Sequence, residues 1–268
     1  EYIVNHTSEK LSENNINLAF NSIVSGNENK LDNTLNISVF GEGNDVSGNT
    51  KYSIIAGRYN NEYNGDQNAI FGRWHDVQDT ETSMVVGEQH TEKDGTNNFM
   101  SGNKHSVNNS VNIMTGGKEN TITNENLSLI VGEKINSQTG DANIIGGKNI
   151  VSATTTTSII VGESHNITGS TNVTITGNTN TIDTCQGSLV TGFTNNDTNG
   201  VNNIISGKNH NINGSQNTNI SGIGHTIETS IASLVSGQTN QETTSNRNAI
   251  FGKSNVISSH AMVASSHP

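Results

Sequence analysis

Cysteine and proline occur once each in the 268 residues, aromatic side chains make up 4%, and Lys and Arg together number 13 against 24 Asp and Glu. The lone Cys185 excludes a disulfide framework within the chain and reads as a loop residue without a role. A formal charge of −11 excludes a nucleic-acid partner, because phosphate binding needs a basic face. Long apolar runs are missing too: none approaches the roughly 20 residues that a membrane-spanning helix needs. Apolar residues amount to only 29%, where a globular domain carries about 45–50%. Asn, Ser, Thr and Gly fill the difference, and scattered, that composition belongs to disordered chains. Here charge is sparse, at 14%, and the apolar residues are not scattered. The chain begins at Glu1 without Met and reads as a processed piece of a longer protein.

What is there is a repeat. A glycine closes each apolar stretch: Gly26, Gly41, Gly57, Gly72, Gly87, Gly102, Gly117, Gly132, Gly147, Gly162, Gly177, Gly192, Gly207, Gly222, Gly237 and Gly252. Every interval is 15 residues except the second, which is 16, and the extra residue falls near Gly48-Asn49. Such a regular period means one solenoid domain. Residues 21–268 hold about 16–17 turns, with "HAMVASSHP" as a compressed last turn in which Ala264 replaces the glycine. Residues 1–20 fall outside the register and read as a cap or the end of an upstream segment.

Positions in the repeat are numbered here from its glycine. Position −2 is aliphatic (Val24, Ile55, Ile70, Val85, Ile130), and its neighbours are often apolar too. Position +3 is Asn or His in 14 copies of 16, including Asn29, His75, His90, His105 and His225. Position +5 is often aliphatic between polar neighbours (Leu31, Val46, Val77, Ile122). That alternation predicts a strand with one buried face, whereas the apolar first segment predicts a strand covered on both faces. Fifteen residues accommodate two strands of about five and two tight turns, too few for a three-sided coil of hexapeptides. The expected fold class is therefore all-β: a parallel β-roll, a two-strand solenoid of about 15 residues per turn. Its interior covers only one face of the first strand, so the other face is expected to pack on identical chains.

Two demands could select Asn and His together: a corner at positive φ, or a ladder of neutral donor–acceptor side chains. Asp tolerates positive φ yet never occupies the column, which favours the inward ladder. Its protonation is expected to lower stability below about pH 5–6. A metal held by His75, His90 and His105 is not expected, because no carboxylate or cysteine recurs beside them.

"NSIVSGNEN", "NAIFGRWH" and "NAIFGKSN" resemble the head repeats of YadA-like trimeric adhesins, and related repeats occur in phage and viral fibres. The resemblance covers about residues 21–267. It implies a left-handed β-roll, a parallel homotrimer, an extracellular, cell-surface or virion location, and attachment to a host surface. The chain departs from that pattern in its Asn/His-rich units of mostly fifteen residues and in lacking the family's alanine-rich half.

The rare aromatic and basic residues are concentrated in "SIIAGRYNNEYNGDQNAIFGRWHD", residues 53–76. Arg58 and Arg73 stack on adjacent turns, as do Tyr59 and Trp74, with Tyr63 on the same outer face. Such a platform can stack on a sugar ring and pair with its acidic groups. These five residues are the candidate ligand site, for a host glycan or protein receptor; the loop "HTEKDGTNNF" (90–99) is a weaker candidate. The alternative is a passive spacer or shaft of a tail fibre. Nucleophile motifs, phosphate loops and metal-spaced clusters are absent, so neither cofactor nor enzymatic activity is expected. A polysaccharide-degrading segment using Asp45 with Asp76 stays a distant second alternative, and no flat Thr column supports ice binding.

Overall fold

The computed structural model describes residues 3–5, 14–133, 136–138, 144–146, 151–153, 156, 159–258 and 263–265, except 165, 170, 173, 180, 185, 200, 215 and 245. The chain forms two compact units, Glu1–Lys134 and Ile135–Pro268. Both are parallel β solenoids, and the described residues contain no helix.

One turn of the first unit shows how the repeat is built. The long strand Ile54–Arg58 pairs in parallel with Ser38–Glu42 before it and Ala69–Arg73 after it. The short strand Asn61–Tyr63 pairs likewise with Asp45–Ser47 and Asp76–Gln78. Between short strand and next long strand, Asp66 forms single parallel bridges to Lys51 and Glu81. The turn thus has three laddered sides, the third only one residue wide, instead of the two expected. Three corners make this possible within fifteen residues: Tyr59 (φ 56°), Asn64 (φ 52°) and Gln67 (φ 58°) each reverse the chain at a single left-handed residue.

A left-handed non-glycine residue costs on the order of 1–3 kcal/mol unless its surroundings hold it there. Ladder bonds do so: the amides of Tyr59, Asn64 and Gln67 donate to the carbonyls of Glu42, Ser47 and Lys51 at 2.9, 3.2 and 2.9 Å. The repeat glycine is needed for a different reason. At Gly72 (φ 132°) an added Cβ would collide with the carbonyl oxygen of Gly87 on the next turn.

Inside the first unit, position −2 (Ile55, Ile70, Val85, Met100) and position +5 (Leu31, Val46, Val77, Ile122) are fully buried. Removing each such side chain from water contributes roughly 1.5–3 kcal/mol. Positions −3 and −1 point outward: Ile54, Met84, Met114, Phe40 and Phe71 are exposed. The second unit repeats the scheme, with Val190, Ile205, Ile220, Val235, Ile212 and Ile227 inside and Leu189, Ile204 and Leu234 outside.

The pairing also places the irregular turns. Leu31 pairs with Val46 at an offset of 15 but Leu35 with Lys51 at 16, so the extra residue sits in the bend at Gly48-Asn49. Fifteen-residue pairing is already present at Asn15, which lies opposite Lys30. At the other end Ala264 faces Ile250, position −2, and not Gly252.

Candidate functional site

The candidate residues occupy two places. Arg58 and Arg73 are register partners at the ends of long strands, and Tyr59 and Trp74 are the left-handed corner residues that follow them. Both rings are 45% exposed, because the corner turns them away from the interior. Arg73 lies over the Trp74 ring, its guanidinium carbon 4.7 Å from the centroid. The Tyr59 ring packs over Gly43, where a Cβ would meet its edge, and its hydroxyl donates to Glu42 at 3.3 Å.

Each arginine has an acidic neighbour in its own column. Arg58 Nε is 3.5 Å from Glu42 Oε2, and Arg73 Nη2 is 3.0 Å from Glu88 Oε2. The column therefore reads Glu42, Arg58, Arg73, Glu88 and carries no net charge. It borders an open groove of about 430 Å³ floored by Gly57, Gly72, Gly87 and Gly102. Surface pairs of this kind contribute about 0–1 kcal/mol each, and their remaining donors stay available to a ligand.

Tyr63 lies elsewhere. It ends a short strand and lines a separate open groove of about 320 Å³ with Asp45, Asn61 and Asp76. The structure keeps Asp45 and Asp76 on either side of Asn61, one bound to Lys30 and the other to Gln78. Segment 90–99 is not a loop but a regular turn: Thr91–Lys93 is a strand, and His90, Glu92 and Asn98 are buried. Its charged letters disguise inward-facing positions.

The Asn/His column is an interior ladder, and the left-handed corner is the residue before it. Asn44 Nδ2 donates to Asn29 Oδ1 at 2.9 Å and to the Gly57 carbonyl at 3.2 Å. The imidazoles of His75, His90 and His105 stack at 4.9 and 4.8 Å. Each Nε2 faces a carbonyl four residues earlier (His90 to Val86, 3.0 Å), and each Nδ1 faces the next column amide (His105 N to His90 Nδ1, 3.1 Å). Nε2 therefore carries the proton and Nδ1 accepts, so both nitrogens of these rings are occupied. Burial holds all three below the usual imidazole range; His90, also repelled by its two neighbours, is pushed down to about 4. His210 and His225 form the same stack in the second unit, 5.0 Å apart. His165 and Asn180 lie outside the described residues, as does Cys185.

One group was hidden from the sequence reading. Glu62, Glu92 and Glu242 occupy the aliphatic +5 column, fully buried. In each, Oε1 accepts from a Ser hydroxyl and an Asn amide: Ser53 and Asn68, Ser83 and Asn98, Ser233 and Asn248, at 2.7–2.9 Å. Each Oε2 is buried without a hydrogen-bond partner. A signal was available: the column holds an acid at 62, 92, 197 and 242, each time with Ser nine residues before and Asn six after.

No family model and no curated protein matches the chain. Among solved structures it is similar to a UDP-N-acetylglucosamine acyltransferase from Arabidopsis: 11% identity, 67% of this chain, 65% of that chain, TM-score 0.20. It is also similar to a UDP-N-acetylglucosamine O-acyltransferase from Moraxella catarrhalis: 14% identity, 72% of this chain, 65% of that chain, TM-score 0.15. The chain thus spans about two thirds of the length of either. Both neighbours are named as acyltransferases, which stands against the expectation of a chain without enzymatic activity, and that expectation is withdrawn. At these TM-scores the likeness carries no argument about which activity, site or assembly this chain has.

Proposed function

We propose that the chain is a segment of a homotrimeric surface fibre, of a bacterial cell or a virion, that attaches to a host-surface glycan. The carrying observation is the outer face of the long strands. In most turns positions −3 and −1 pair a large with a small residue, as in Ser38 with Phe40, Ile54 with Ala56, Ala69 with Phe71 and Phe99 with Ser101, while Met84 with Val86, Leu129 with Val131 and Ile159 with Val161 pair two large ones. The second unit continues with Leu189 and Thr191, Ile204 and Ser206, Leu234 and Ser236, Ala249 and Phe251. A face wetted by solvent places no such demand on neighbouring side chains; a gap of constant width does. Sister chains with the same turn spacing supply such a gap, and exposed apolar stripes of this length otherwise promote aggregation.

The contact with the glycan is the corner of Arg58, Tyr59, Arg73 and Trp74, where exposed rings offer stacking faces and the arginines keep free donors. Tyr63 serves the neighbouring groove. Pairing of both arginines with Glu42 and Glu88 favours the second reading, a passive spacer whose corner is merely solvated. Sedimentation of the soluble chain followed by a glycan array decides between them. Three-chain mass and glycan binding that Tyr59→Ala with Trp74→Ala reduces at least tenfold are expected. A trimer that binds no glycan leaves the spacer, and a well-folded monomer overturns the fibre.

A further inference from the structure

Among the described residues three copies of one Ser–Glu–Asn arrangement stand in the coil interior, and two of them, around Glu62 and Glu92, lie two turns apart in the first unit. We infer that Glu62 and Glu92 are held as neutral carboxylic acids in the folded coil, and that their ionisation above neutral pH loosens the turns around them: a base-triggered release built from Ser, Glu and Asn.

The geometry leaves little else. Both carboxyls accept only from neutral donors, and both on Oε1. Oε2 of each is sealed from water with nothing to receive a negative charge. An ionised carboxylate placed so is costly, whereas a neutral acid leaves only one hydroxyl unsatisfied. Room for the acid has been made on purpose: an added Cβ at Gly65 or Gly95 would collide with Oε1 of Glu62 or Glu92.

The surroundings contain no compensating cation. Val46 and Val77 flank Glu62 in its column, and Val77 and Val107 flank Glu92. Asp66, whose own Oδ1 is buried and unpartnered, acts on Glu62 as a second acid and raises its pKa further. His75, His90 and His105 in the neighbouring interior column direct Nε2 at the carbonyls of Phe71, Val86 and Ser101 and not at either carboxyl. Arg58, Arg73 and Lys93 on the packed strands are exposed, and Asp45, Asp76, Glu88 and Asp94 would only repel. Burial accordingly pushes the Glu62 carboxyl up from 4.5 to about 7, and the Glu92 carboxyl upward for the same reason.

A raised folded value means stability that is complete below about pH 4.5 and lost as pH rises through about 7. The test compares Tm of the full chain with that of Glu62→Gln/Glu92→Gln between pH 5 and pH 8.5, taking the difference at each pH so that the histidines cancel. The advantage of the wild type over the variant is expected to shrink by on the order of 5 °C across that range. The infrared carbonyl stretch of a protonated carboxyl is expected at pH 6 in the wild type and reduced in the variant. Should the Gln variant not fold, Glu62→Leu with Asn68→Ile copies the apolar turn the chain already uses at Leu31 and Ile37. A pH-independent difference in Tm, or no protonated-acid band at pH 6, overturns the inference.

Discussion

Within the first unit two adjacent interior columns bury polar groups in different ways. In the Asn/His column every side chain passes a hydrogen bond to the next turn, so burial is shared along an unbroken series from Asn29 to Asn120. In the +5 column the acids are isolated between valines and satisfied sideways, by Ser and Asn of the position −4 column. The ladder tolerates neither a gap nor a charge; the isolated unit tolerates an acid only if three other positions agree. Burial of polar groups in a narrow coil is thus a property of the column and not of the residue.

The strongest way to break the comparison is to interrupt the ladder. His90→Leu removes the acceptor for the His105 amide and the donor to the Val86 carbonyl, and is expected to cost about 2–5 kcal/mol by chemical denaturation. His90→Asn, which the column accepts at Asn60 and Asn120, is expected to stay within about 1 kcal/mol. Comparable losses for both would mean that packing, not bonding, holds the column.

Acid comes next. The imidazoles are held below their unfolded value of 6.5, so stability falls as pH drops below 6.5, and for His90 levels off near 4. A proton on Nδ1 removes the acceptor and sets charges face to face in the stack. Tm between pH 7 and pH 4.5 is expected to fall, less steeply in His90→Asn; an unchanged Tm would count against a neutral ladder. Combined with the carboxyls, stability is expected to peak in mildly acidic solution, its two limbs belonging to different columns.

The smallest effect sharpens the isolated unit. Gly65→Ala forces Glu62 Oε1 and Asn68 Nδ2 to move and is expected to cost about 1–3 kcal/mol. With Glu62→Val, which imitates the neighbouring turn of Val77 and Thr80, that cost is expected to disappear. Additive losses in the double variant would show that the two positions are independent.

Much of this was legible in the sequence. The glycine interval, the −2 column and the inward Asn/His ladder recur often enough for position alone to assign them. The third side was not, because one bridging residue such as Asp66 or Glu81 has no alternation to display. Nor were the left-handed corners, held by Tyr59, Trp74, Gln89 and Lys104 alike, since ladder bonds and not residue type impose that conformation. The buried acids were passed over because charge in an aliphatic column looks like an exception; only the matching Ser and Asn reveal the rule. The same disguise turned residues 90–99 into an apparent loop.

The bend at Gly48-Asn49 absorbs one additional residue while Val39 and Ile55, and Val46 and Glu62, stay paired across it. The coil therefore owns a seam that takes up a change of chain length while the strands on either side keep their register. A peptide tag or a small folded insert spliced there would hang from the side of the coil as a passenger, and that seam is the natural place to engineer one.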